Sequence, residues 1–417
     1  MQNKILKARE ERYKLATSFD KIVIIIKANT PGEKKNLWFS NLLVNIFTNI
    51  ITKELNTTYS YYKSDDGNYT LLNLKSDNYI DIKKYLVNLE ETYTLGRFID
   101  LDLYYNKEPI SRTSLDLTTR KCFICGKPAY LCARNKTHKL EELLDVVEKS
   151  VTNYLNDYII ETLKTAIITE LDLDYKFGLV EKANKHSHPD MDYNLMMSSL
   201  NYISPMFKSF ITLGFKNLNA EDYFNKARQV GLEIENKMLY QTNNINTYKG
   251  LIFIMALLIT SLSITIYNNH SFNNIFNIVK TLTQNIYDDF KIKDNTFGKI
   301  AYEKYNIKGI RKEAYLGFPS VRKMLEIYSF INSDNLRSIL IDLIIEAEDT
   351  TLLKRAKSLE NYNSIKQKFQ DLNKANLKDI KLLHNKMVND NISFGGAADL
   401  LIGTIFLYKI KNHLFLV

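Results

Sequence analysis

The sequence predicts an α+β N-terminal domain, a mixed sheet with helices, followed by an all-α C-terminal domain. Residues 21–27, KIVIIIK, form a β-branched run that is typical of a buried strand. Strand-like and helix-like segments alternate around this run. From about residue 145 onwards, one helical pattern follows another, with few glycines or prolines between them. We therefore expect one domain over residues 1–150 and a second over residues 151–417.

The first domain is predicted to begin with a charged helix over residues 4–19, ahead of the strand at 21–27. The sequence Ala-Asn-Thr-Pro-Gly then indicates a turn. The remaining predicted elements are a helix at 37–55 and strands at 57–62, 69–74 and 98–105. Helices of the second domain are predicted at 140–171, 193–213, 220–241, 247–267, 275–290, 321–330, 336–348, 361–373 and 398–411.

One predicted helix raises the question of a membrane. Residues 250–267 contain no charge over 18 residues, which is long enough to cross a bilayer. A helix buried in a helical domain is also apolar all round. Ser and Thr side chains dilute the hydropathy of this segment, and the sequence has no second clear span. We expect a core helix and no membrane partner.

Composition restricts the class of protein. With 45% apolar and 25% charged residues, the chain resembles a soluble globular protein. Its formal charge of +9 implies anionic partners, which include phosphorylated small molecules, an acidic protein or nucleic acid. Three cysteines in 417 residues argue against a disulfide framework and for a reducing compartment. The charged N-terminus is unlike a signal peptide, so we expect a cytoplasmic protein.

The strand at 98–105 carries two acidic residues with strand spacing. Asp100 and Asp102 are predicted to point to one side of the sheet, because alternate residues of a strand share a face. Two adjacent carboxylates repel each other unless a cation such as Mg²⁺ lies between them. Enzymes that act on nucleoside triphosphates use this arrangement. The alternative is the solvent-facing edge of an amphipathic strand.

All three cysteines lie close together, with a histidine after them. Cys122, Cys125, Cys132 and His138 have the spacing C-x2-C-x6-C-x5-H. Three thiolates and one imidazole are a common ligand set for structural zinc. The alternatives are a structural cluster without metal and a reactive thiol.

At this point the first 150 residues resemble a known family, the holo-citrate-lyase synthases, which are apo-citrate-lyase phosphoribosyl-dephospho-CoA transferases. The resemblance runs in order over about residues 4–150. It is carried by Ala8-Arg9-Glu10-Glu11-Arg12, Asn29-x-Pro31-Gly32-x-x-Lys35, Gly96-Arg97-Phe98-x-Asp100-x-Asp102, Ser111-Arg112, Arg120-x-Cys122-x-x-Cys125, Cys132-Ala133-Arg134 and His138.

This resemblance implies a nucleotidyltransferase-type transfer at phosphorus. A serine of an apo acyl carrier protein attacks triphosphoribosyl-dephospho-CoA, and pyrophosphate leaves. Asp100 and Asp102 would hold Mg²⁺ on the triphosphate. Arginine forks suit phosphate oxygens, and the candidates for this role are Arg97, Arg112, Arg120 and Arg134. Positive net charge would favour docking of an acidic carrier protein.

Polar motifs interrupt the helical half at intervals. Each sits at or just before a predicted helix start, where unpaired N–H groups can bind anions. Taken singly, each motif is as readily a cap or a turn. Their order resembles the triphosphoribosyl-dephospho-CoA synthase family over about residues 170–410. The positions that match are Lys176, Gly178, His188, Asp190, Asp192, Glu235, Asn246, Thr247, Lys249, Gly250, Arg311, Glu313, Gly317, Asp349, Thr350, Arg355, Gly395, Gly396 and Asp399.

The second resemblance implies ATP-dependent triphosphoribosyl transfer. ATP loses adenine, and its triphosphoribosyl unit passes to the 2′-hydroxyl of 3′-dephospho-CoA. A base and a cation are needed for this step. Asp190, Asp192 and Asp349 are the candidates for metal ligand or base. The implied substrate-binding residues are Lys176, Gly178, His188, Asn246, Thr247, Lys249, Arg311, Glu313, Arg355, Gly395, Gly396 and Asp399.

The helical half also departs from the family's glycine motifs. Asn243-Asn244 stands in place of one Gly-Gly pair and Ala356-Lys357 in place of another. Asparagine tolerates left-handed backbone, so the first change is compatible with function.

We therefore expect a bifunctional transferase that makes and attaches the prosthetic group of citrate lyase. Its expected partners are ATP, 3′-dephospho-CoA and the apo citrate lyase acyl carrier protein, with Mg²⁺ as cofactor and Zn²⁺ as a further candidate. One alternative is that only the first domain is active, while the helical half binds nucleotide or acts as a scaffold. Another is a basic zinc-knuckle protein that binds nucleic acid. No nucleic-acid recognition motif supports it, so we expect no nucleic-acid partner.

Overall fold

The structure is a computed structural model that describes residues 2–182, 184, 186–291 and 296–416. The chain divides into two compact units. One consists of Met1–Tyr158 together with Lys411–Val417, and the other of Ile159–Ile410. The compact units thus divide slightly later than the predicted boundary, and the last residues of the chain belong to the first unit.

A five-stranded sheet lies at the centre of the first unit. Its spatial order is β2-β3-β1-β4-β5. The strands are β1 Ile22–Ala28, β2 Ser60–Tyr62, β3 Tyr69–Leu74, β4 Ile99–Tyr105 and β5 Glu108–Ile110. Each described pairing is antiparallel, so the sheet is antiparallel rather than mixed. The reason is that β3 and β4, which run in the same direction, are separated by β1 and form no parallel pair.

Helices cover both faces of this sheet. The helices of the unit are α1 Gln2–Ala16, α2 Trp38–Glu54, α3 Tyr79–Thr92, α4 Ala129–Arg134 and the first part of α5 Leu140–Leu171. Ala16 of α1 packs with Val23 and Ile25 on one face. Thr48 of α2 forms a hydrogen bond with Thr70 on the opposite face, with 2.6 Å between the two hydroxyl oxygens. Because side chains of β1 alternate between these covered faces, the strand is buried along its whole length.

All the regular secondary structure described in the second unit is helical. Its complete helices are α6 Tyr193–Ile203, α7 Lys208–Gly214, α8 Ala220–Gln241, α9 Lys249–Tyr267, α10 Asn274–Leu282, α11 Phe297–Tyr305, α12 Ile310–Tyr315, α13 Pro319–Ile327, α14 Leu336–Glu346, α15 Thr350–Ala356, α16 Leu359–Gln370 and α17 Leu377–Asn389. The rest of α5 and most of α18 Gly395–Leu414 complete it.

The apolar helix α9 is the core helix of the second unit. It is long and apolar enough to cross a membrane, with a mean hydropathy of 2.2 over 18 residues, yet 83% of that window is buried in the fold. Helices α7, α8, α10 and α12 pack against it. This burial agrees with the core-helix interpretation of residues 250–267.

Two predicted helices are interrupted. The helix expected at 193–213 is broken by a 3-10 turn at Ser204–Phe207, which contains Pro205. Proline cannot donate to the helical ladder and clashes with the preceding turn. The helix expected at 275–290 ends at Leu282, and a 3-10 helix follows at Ile286–Lys291. Helices α3, α4, α11, α12, α15 and α17 were not predicted.

Candidate active sites

Strand β4 presents its two aspartates on one face of the sheet, as predicted. Ile99, Leu101 and Leu103 are each 1% exposed, whereas Asp100 is half-buried and Asp102 is exposed. The alternation follows from the pleat of the strand. Asp102 therefore offers a carboxylate to solvent beside the ordered Asp100.

An arginine engages Asp100, and a buried glutamate holds that arginine. Arg120 donates to Asp100 through one nitrogen and to Glu90 through the other. Glu90 is 4% exposed and also accepts hydrogen bonds from Arg112 and from the backbone N–H of Leu101, the latter at 2.9 Å. Such charge-assisted bonds stabilise a buried carboxylate. Glu90 lies on α3 and was not predicted; an acid on the apolar side of an amphipathic segment was the only signal.

Three of the predicted phosphate-binding arginines line one cavity. Its volume is about 370 Å³, and Arg97, Arg112 and Arg120 contribute to its wall. Arg97 donates to the carbonyl of Cys122. Arg134 is exposed on α4 and is not among the lining residues. The cavity concentrates positive charge that Glu90 and Asp100 only partly neutralise.

A second ion-pair cluster in this unit was also not predicted. Asp66 is 1% exposed and accepts hydrogen bonds from Arg9 at 3.0 Å and Arg12 at 2.7 Å. Lys27 Nζ lies 3.5 Å from its carboxylate. Burial alone would raise the pKa of Asp66, but Lys27 and the two arginines hold it below its ordinary value. Asp66 thus ties the charged helix α1 to the edge of the sheet.

The cysteine cluster is assembled in space. The donor atoms of Cys122, Cys125, Cys132 and His138 all lie within 4.8 Å of one another. Sγ of Cys125 is 3.4 Å from Sγ of Cys132 and 3.4 Å from Nε2 of His138. Hydrogen bonds from the Lys127 backbone and from His138 and Cys132 lower the pKa of the Cys125 thiol to about 6. This donor set is suited to a thiolate-binding metal.

The second unit contains a cavity of about 620 Å³ where most of the predicted residues of this half meet. They come from loops before α6, α9 and α15 and from the start of α18, so segments far apart in sequence form one wall. The predicted residues that line the cavity are Lys176, His188, Asp190, Asn246, Thr247, Lys249, Asp349, Arg355, Gly395, Gly396 and Asp399.

Asp349 connects two helix starts in this cavity. It is the N-cap of α15, with Oδ1 accepting from the N–H groups of Thr351 at 2.7 Å and Leu352 at 3.1 Å. Oδ2 accepts from the N–H of Ala397 in α18 at 3.1 Å. A Cβ on Gly396 would lie 3.0 to 3.2 Å from the carboxylate atoms of Asp349. A glycine therefore gives this carboxylate room at the start of α18.

Asp399 differs from Asp349 in its partners. No described residue donates a hydrogen bond to its carboxylate, although it lines the cavity. Burial, with the nearby negative charges of Asp349 and Glu170, raises the pKa of Asp399 well above its usual range. The family resemblance implies that Asp399 binds substrate, and that assignment stays a prediction.

Two basic residues of the cavity already have hydrogen-bond partners within the protein. Lys176 is 1% exposed, and its Nζ donates to Glu170 Oε1 at 2.8 Å. His188 Nε2 lies 2.7 Å from Ser393 Oγ. Burial and the charge of Arg355 lower the pKa of His188 to about 4, so this imidazole is neutral at physiological pH. Both residues therefore organise the cavity wall.

Lys249 and Arg355 are the other two predicted basic residues of this cavity, the first exposed and the second half-buried. Lys249 begins α9 and pairs with Glu235, while Asn246 accepts its backbone N–H at 3.1 Å. Arg355 donates to the Ser187 carbonyl at 2.9 Å. Lys249 is more than half exposed along its side chain, so it can leave its partner for a phosphate.

Four predicted residues do not line this cavity. Asp192 caps α6 by accepting the N–H of Leu195 at 2.9 Å. Glu313 is buried and bonds to Ser320 at the start of α13. Gly178 has φ +93°, and its Cβ would lie 2.1 Å from the Ile392 carbonyl oxygen.

Arg311 is the fourth, and it faces a neighbouring cavity. Its Nε donates to Asp289 at 3.1 Å, and the guanidinium lies 5.1 Å from the centre of the Phe290 ring. This second cavity, of about 380 Å³, shares Lys249, Gly250 and Ile310 with the first. Arg311 is therefore next to the predicted site, but outside it.

Three of the four residues that stand in place of the family's glycines have left-handed backbone. Asn243 and Asn244 have φ values of +52° and +64°, in agreement with the expectation for asparagine. Lys357 is the C-cap of α15 with φ +64°. Left-handed backbone is common at the end of a helix. Asn243, Asn244 and Lys357 therefore adopt the left-handed backbone that glycine adopts without steric cost.

Comparison with known proteins divides the chain in the same way. The family model described as ATP:dephospho-CoA triphosphoribosyl transferase matches residues 156–415, and the one described as apo-citrate lyase phosphoribosyl-dephospho-CoA transferase matches residues 1–154. "Protein CitXG" of Haemophilus influenzae is 28% identical, over 98% of this chain and 96% of its own length. "Protein CitXG" of Leuconostoc mesenteroides subsp. cremoris is 27% identical, over 98% and 97%. The 2-(5''-triphosphoribosyl)-3'-dephosphocoenzyme-A synthase of Haemophilus ducreyi is 27% identical, over 69% and 99%.

Proposed function

The chain belongs to the ATP:dephospho-CoA triphosphoribosyl transferase family and carries an apo-citrate lyase phosphoribosyl-dephospho-CoA transferase region before it, and from this membership we propose how its two sites divide the work. The protein is a bifunctional transferase of citrate lyase prosthetic-group biosynthesis. In our proposal, the helical unit makes the precursor of the prosthetic group, and the first unit attaches it to the acyl carrier protein.

In the helical unit, Asp399 is proposed as the general base. It takes the proton from the 2′-hydroxyl of 3′-dephospho-CoA, and the resulting oxygen attacks the ribose carbon that bears adenine in ATP. The bond from that carbon to adenine breaks, and adenine leaves with the bonding electrons. Support comes from its position, because Asp399 lines the cavity and its carboxylate lies against the start of α9 at Gly250, and burial raises its pKa above the usual carboxyl range.

Lys249 and Arg355 are proposed to bind the triphosphate. Both line the cavity, and Lys249 lies in the first turn of α9, where helix N–H groups without intrahelical partners favour anions. Asp190 is exposed at this cavity and is the proposed ligand of Mg²⁺, because carboxylate oxygen suits that ion. Asp349, with both oxygens held by backbone N–H groups, positions α15 and α18 in this scheme.

In the first unit, the arginine-lined cavity is proposed to bind the diphosphate that leaves as pyrophosphate. Asp102 and Asp100 are the proposed Mg²⁺ ligands. Arg120 currently bonds to Asp100 and Glu90, so binding of substrate would move Arg120 from Asp100 to a phosphate oxygen and release that carboxylate for the cation. The serine oxygen of the apo acyl carrier protein then bonds to phosphorus, the bond from that phosphorus to the diphosphate breaks, and pyrophosphate leaves while the serine proton passes to solvent.

The convergence of distant motif residues on the cavity of about 620 Å³ carries the proposal for the helical unit. The test is release of adenine from ATP in the presence of dephospho-CoA and Mg²⁺, measured by chromatography. We expect release by the unaltered chain and a loss of at least 100-fold in Asp399→Asn, the lower range for removing a general base. Asp334→Asn, at an exposed loop position, is the matched control. Equal rates in both variants would disprove the role of Asp399, and no release by the unaltered chain would disprove the synthase activity.

A further inference from the structure

The segment of residues 111–138 lacks an apolar core of its own. The structure describes all of these residues, and the two that are buried are Cys122 and Cys132, at 5% and 8% exposure. Both belong to the cysteine cluster. A chain segment without enough apolar burial needs another cross-link to hold one conformation.

The backbone of this segment is shaped around its thiols. Cys122 N–H donates to the Lys127 carbonyl at 2.6 Å, which closes a tight loop, and Gly126 within it has φ +71°. Cys125 lies in the loop. Helix α4 carries Cys132, whose carbonyl accepts the N–H of Thr137 at 3.1 Å. This hydrogen bond closes the turn after α4, and His138 follows directly after it.

The distances between donor atoms match a tetrahedral site. At a Zn–S length of about 2.3 Å, two sulfurs of a tetrahedron lie about 3.8 Å apart. The Cys125–Cys132 distance is 3.4 Å, and the four donor atoms all lie within 4.8 Å of one another. A disulfide needs an S–S length of about 2.05 Å, and all three thiols are free in the structure.

We propose that Cys122, Cys125, Cys132 and His138 bind one structural zinc ion that cross-links residues 111–138. Four protein ligands leave no open position on the metal, which is the arrangement of structural rather than catalytic zinc. Nothing in the transfer reactions requires this ion, so the site is additional to both activities.

The loop from Cys122 to Lys127 also supports the wall of the arginine-lined cavity. The Cys122 carbonyl accepts a hydrogen bond from the guanidinium of Arg97, and Arg120 precedes Cys122 by two residues. Arg120 O accepts the N–H of Ala129 at 2.8 Å across the base of the loop. Loss of the metal would therefore release two cavity arginines. This consequence for transfer rests on the proposed function, whereas the metal site itself does not.

The test is the metal content of the full chain, purified without chelators under reducing conditions and measured by mass spectrometry. We expect about one zinc per chain, and a drop to near zero in His138→Gln and Cys125→Ser. His270→Gln, at an exposed histidine outside the cluster, is the matched control and should keep its zinc. Chains without zinc that also take up none on titration would overturn the proposal. So would unchanged zinc content in both cluster variants.

Cobalt(II) gives a readout that does not depend on activity. Replacement of the zinc by cobalt should produce the intense absorption of tetrahedral cobalt–thiolate, and Cys125→Ser should weaken it. Absence of these bands in the cobalt-loaded chain would contradict a tetrahedral thiolate site. Adenine release by the helical unit should persist in His138→Gln, because the change lies in the first unit. Zinc retained by a chain that fails to modify the carrier protein would disprove the proposed transferase site while leaving the metal site intact.

Discussion

The carboxylate of Asp399 lies directly against the α-carbon of Gly250: a Cβ added at Gly250 would come within 2.2 Å of Asp399 Oδ2. The contact joins α18 to the start of α9, beside Lys249. Only glycine allows the carboxylate to approach the backbone this closely, since a Cβ contact under 3.0 Å forces a shift. The position of the proposed base thus depends on the absence of a side chain at residue 250.

Replacing Gly250 by alanine should displace Asp399 and lower adenine release by at least tenfold. The control is Gly231→Ala on α8, where a Cβ would meet only Ile252 at 3.8 Å. That change should leave the rate intact and raise helix stability by up to about 1 kcal/mol. Adenine release and thermal unfolding measured on both variants provide the comparison. Similar rates in the two would contradict the proposed position of the base.

The rate of adenine release should rise with pH, and this rise should occur above the pH range in which carboxyl groups ordinarily lose their proton. The reason is that Asp399 must be deprotonated to act, and its pKa is raised by burial, Asp349 and Glu170. The same shift affects stability. The folded state holds the proton more tightly than the unfolded state, so stability falls as pH rises from the unfolded pKa to the folded pKa. Asp399→Asn should therefore unfold at a higher temperature than the unaltered chain at neutral pH, although it has lost activity.

Glu90→Gln should impair the first unit alone. Glu90 is buried and holds Arg112 and Arg120. Loss of one partner from a buried ion-pair network costs about 3 kcal/mol or more. We expect a lower melting temperature and slower labelling of the apo carrier protein, with adenine release unchanged. Glu54→Gln, at an exposed position of α2, is the control. A loss of adenine release in Glu90→Gln would show that the effect is not confined to the first unit.

Asp102→Asn should reduce transfer to the carrier protein and raise the Mg²⁺ concentration that transfer requires, since one proposed ligand oxygen becomes an amide. Asp81→Asn, an exposed acid at the start of α3, should behave like the unaltered chain. Labelled precursor incorporated into the carrier protein, measured over a Mg²⁺ series, checks both. An unchanged Mg²⁺ dependence in Asp102→Asn would remove Asp102 from the metal site.

Lys357→Gly should stabilise the protein by about 1 kcal/mol, because a left-handed lysine carries a steric cost that glycine avoids. Lys368→Gly offers the opposite case. It lies within α16, where the same substitution should destabilise by about 1 kcal/mol. Denaturant unfolding of the two variants gives the comparison. A destabilised Lys357→Gly would mean that the lysine side chain makes a contact that outweighs its backbone strain.

Local patterns were sufficient for several features. Strand spacing predicted the shared face of Asp100 and Asp102, and the alternation of β4 confirms it. The tolerance of asparagine for positive φ predicted the backbone at Asn243 and Asn244. These features depend on neighbours along the chain, so the sequence contains all of the physics that determines them.

Only the tertiary structure distinguished among the acids. Asp192 and Asp399 both matched motifs, yet one caps a helix and the other is half-buried in the wall of the cavity. Glu90, which no motif indicated, holds two of the arginines. The charge state and role of a carboxylate depend on the groups that surround it, and those groups come from segments distant in sequence. The order of the residues along the chain identified the chemistry, and packing decided which side chains can perform it.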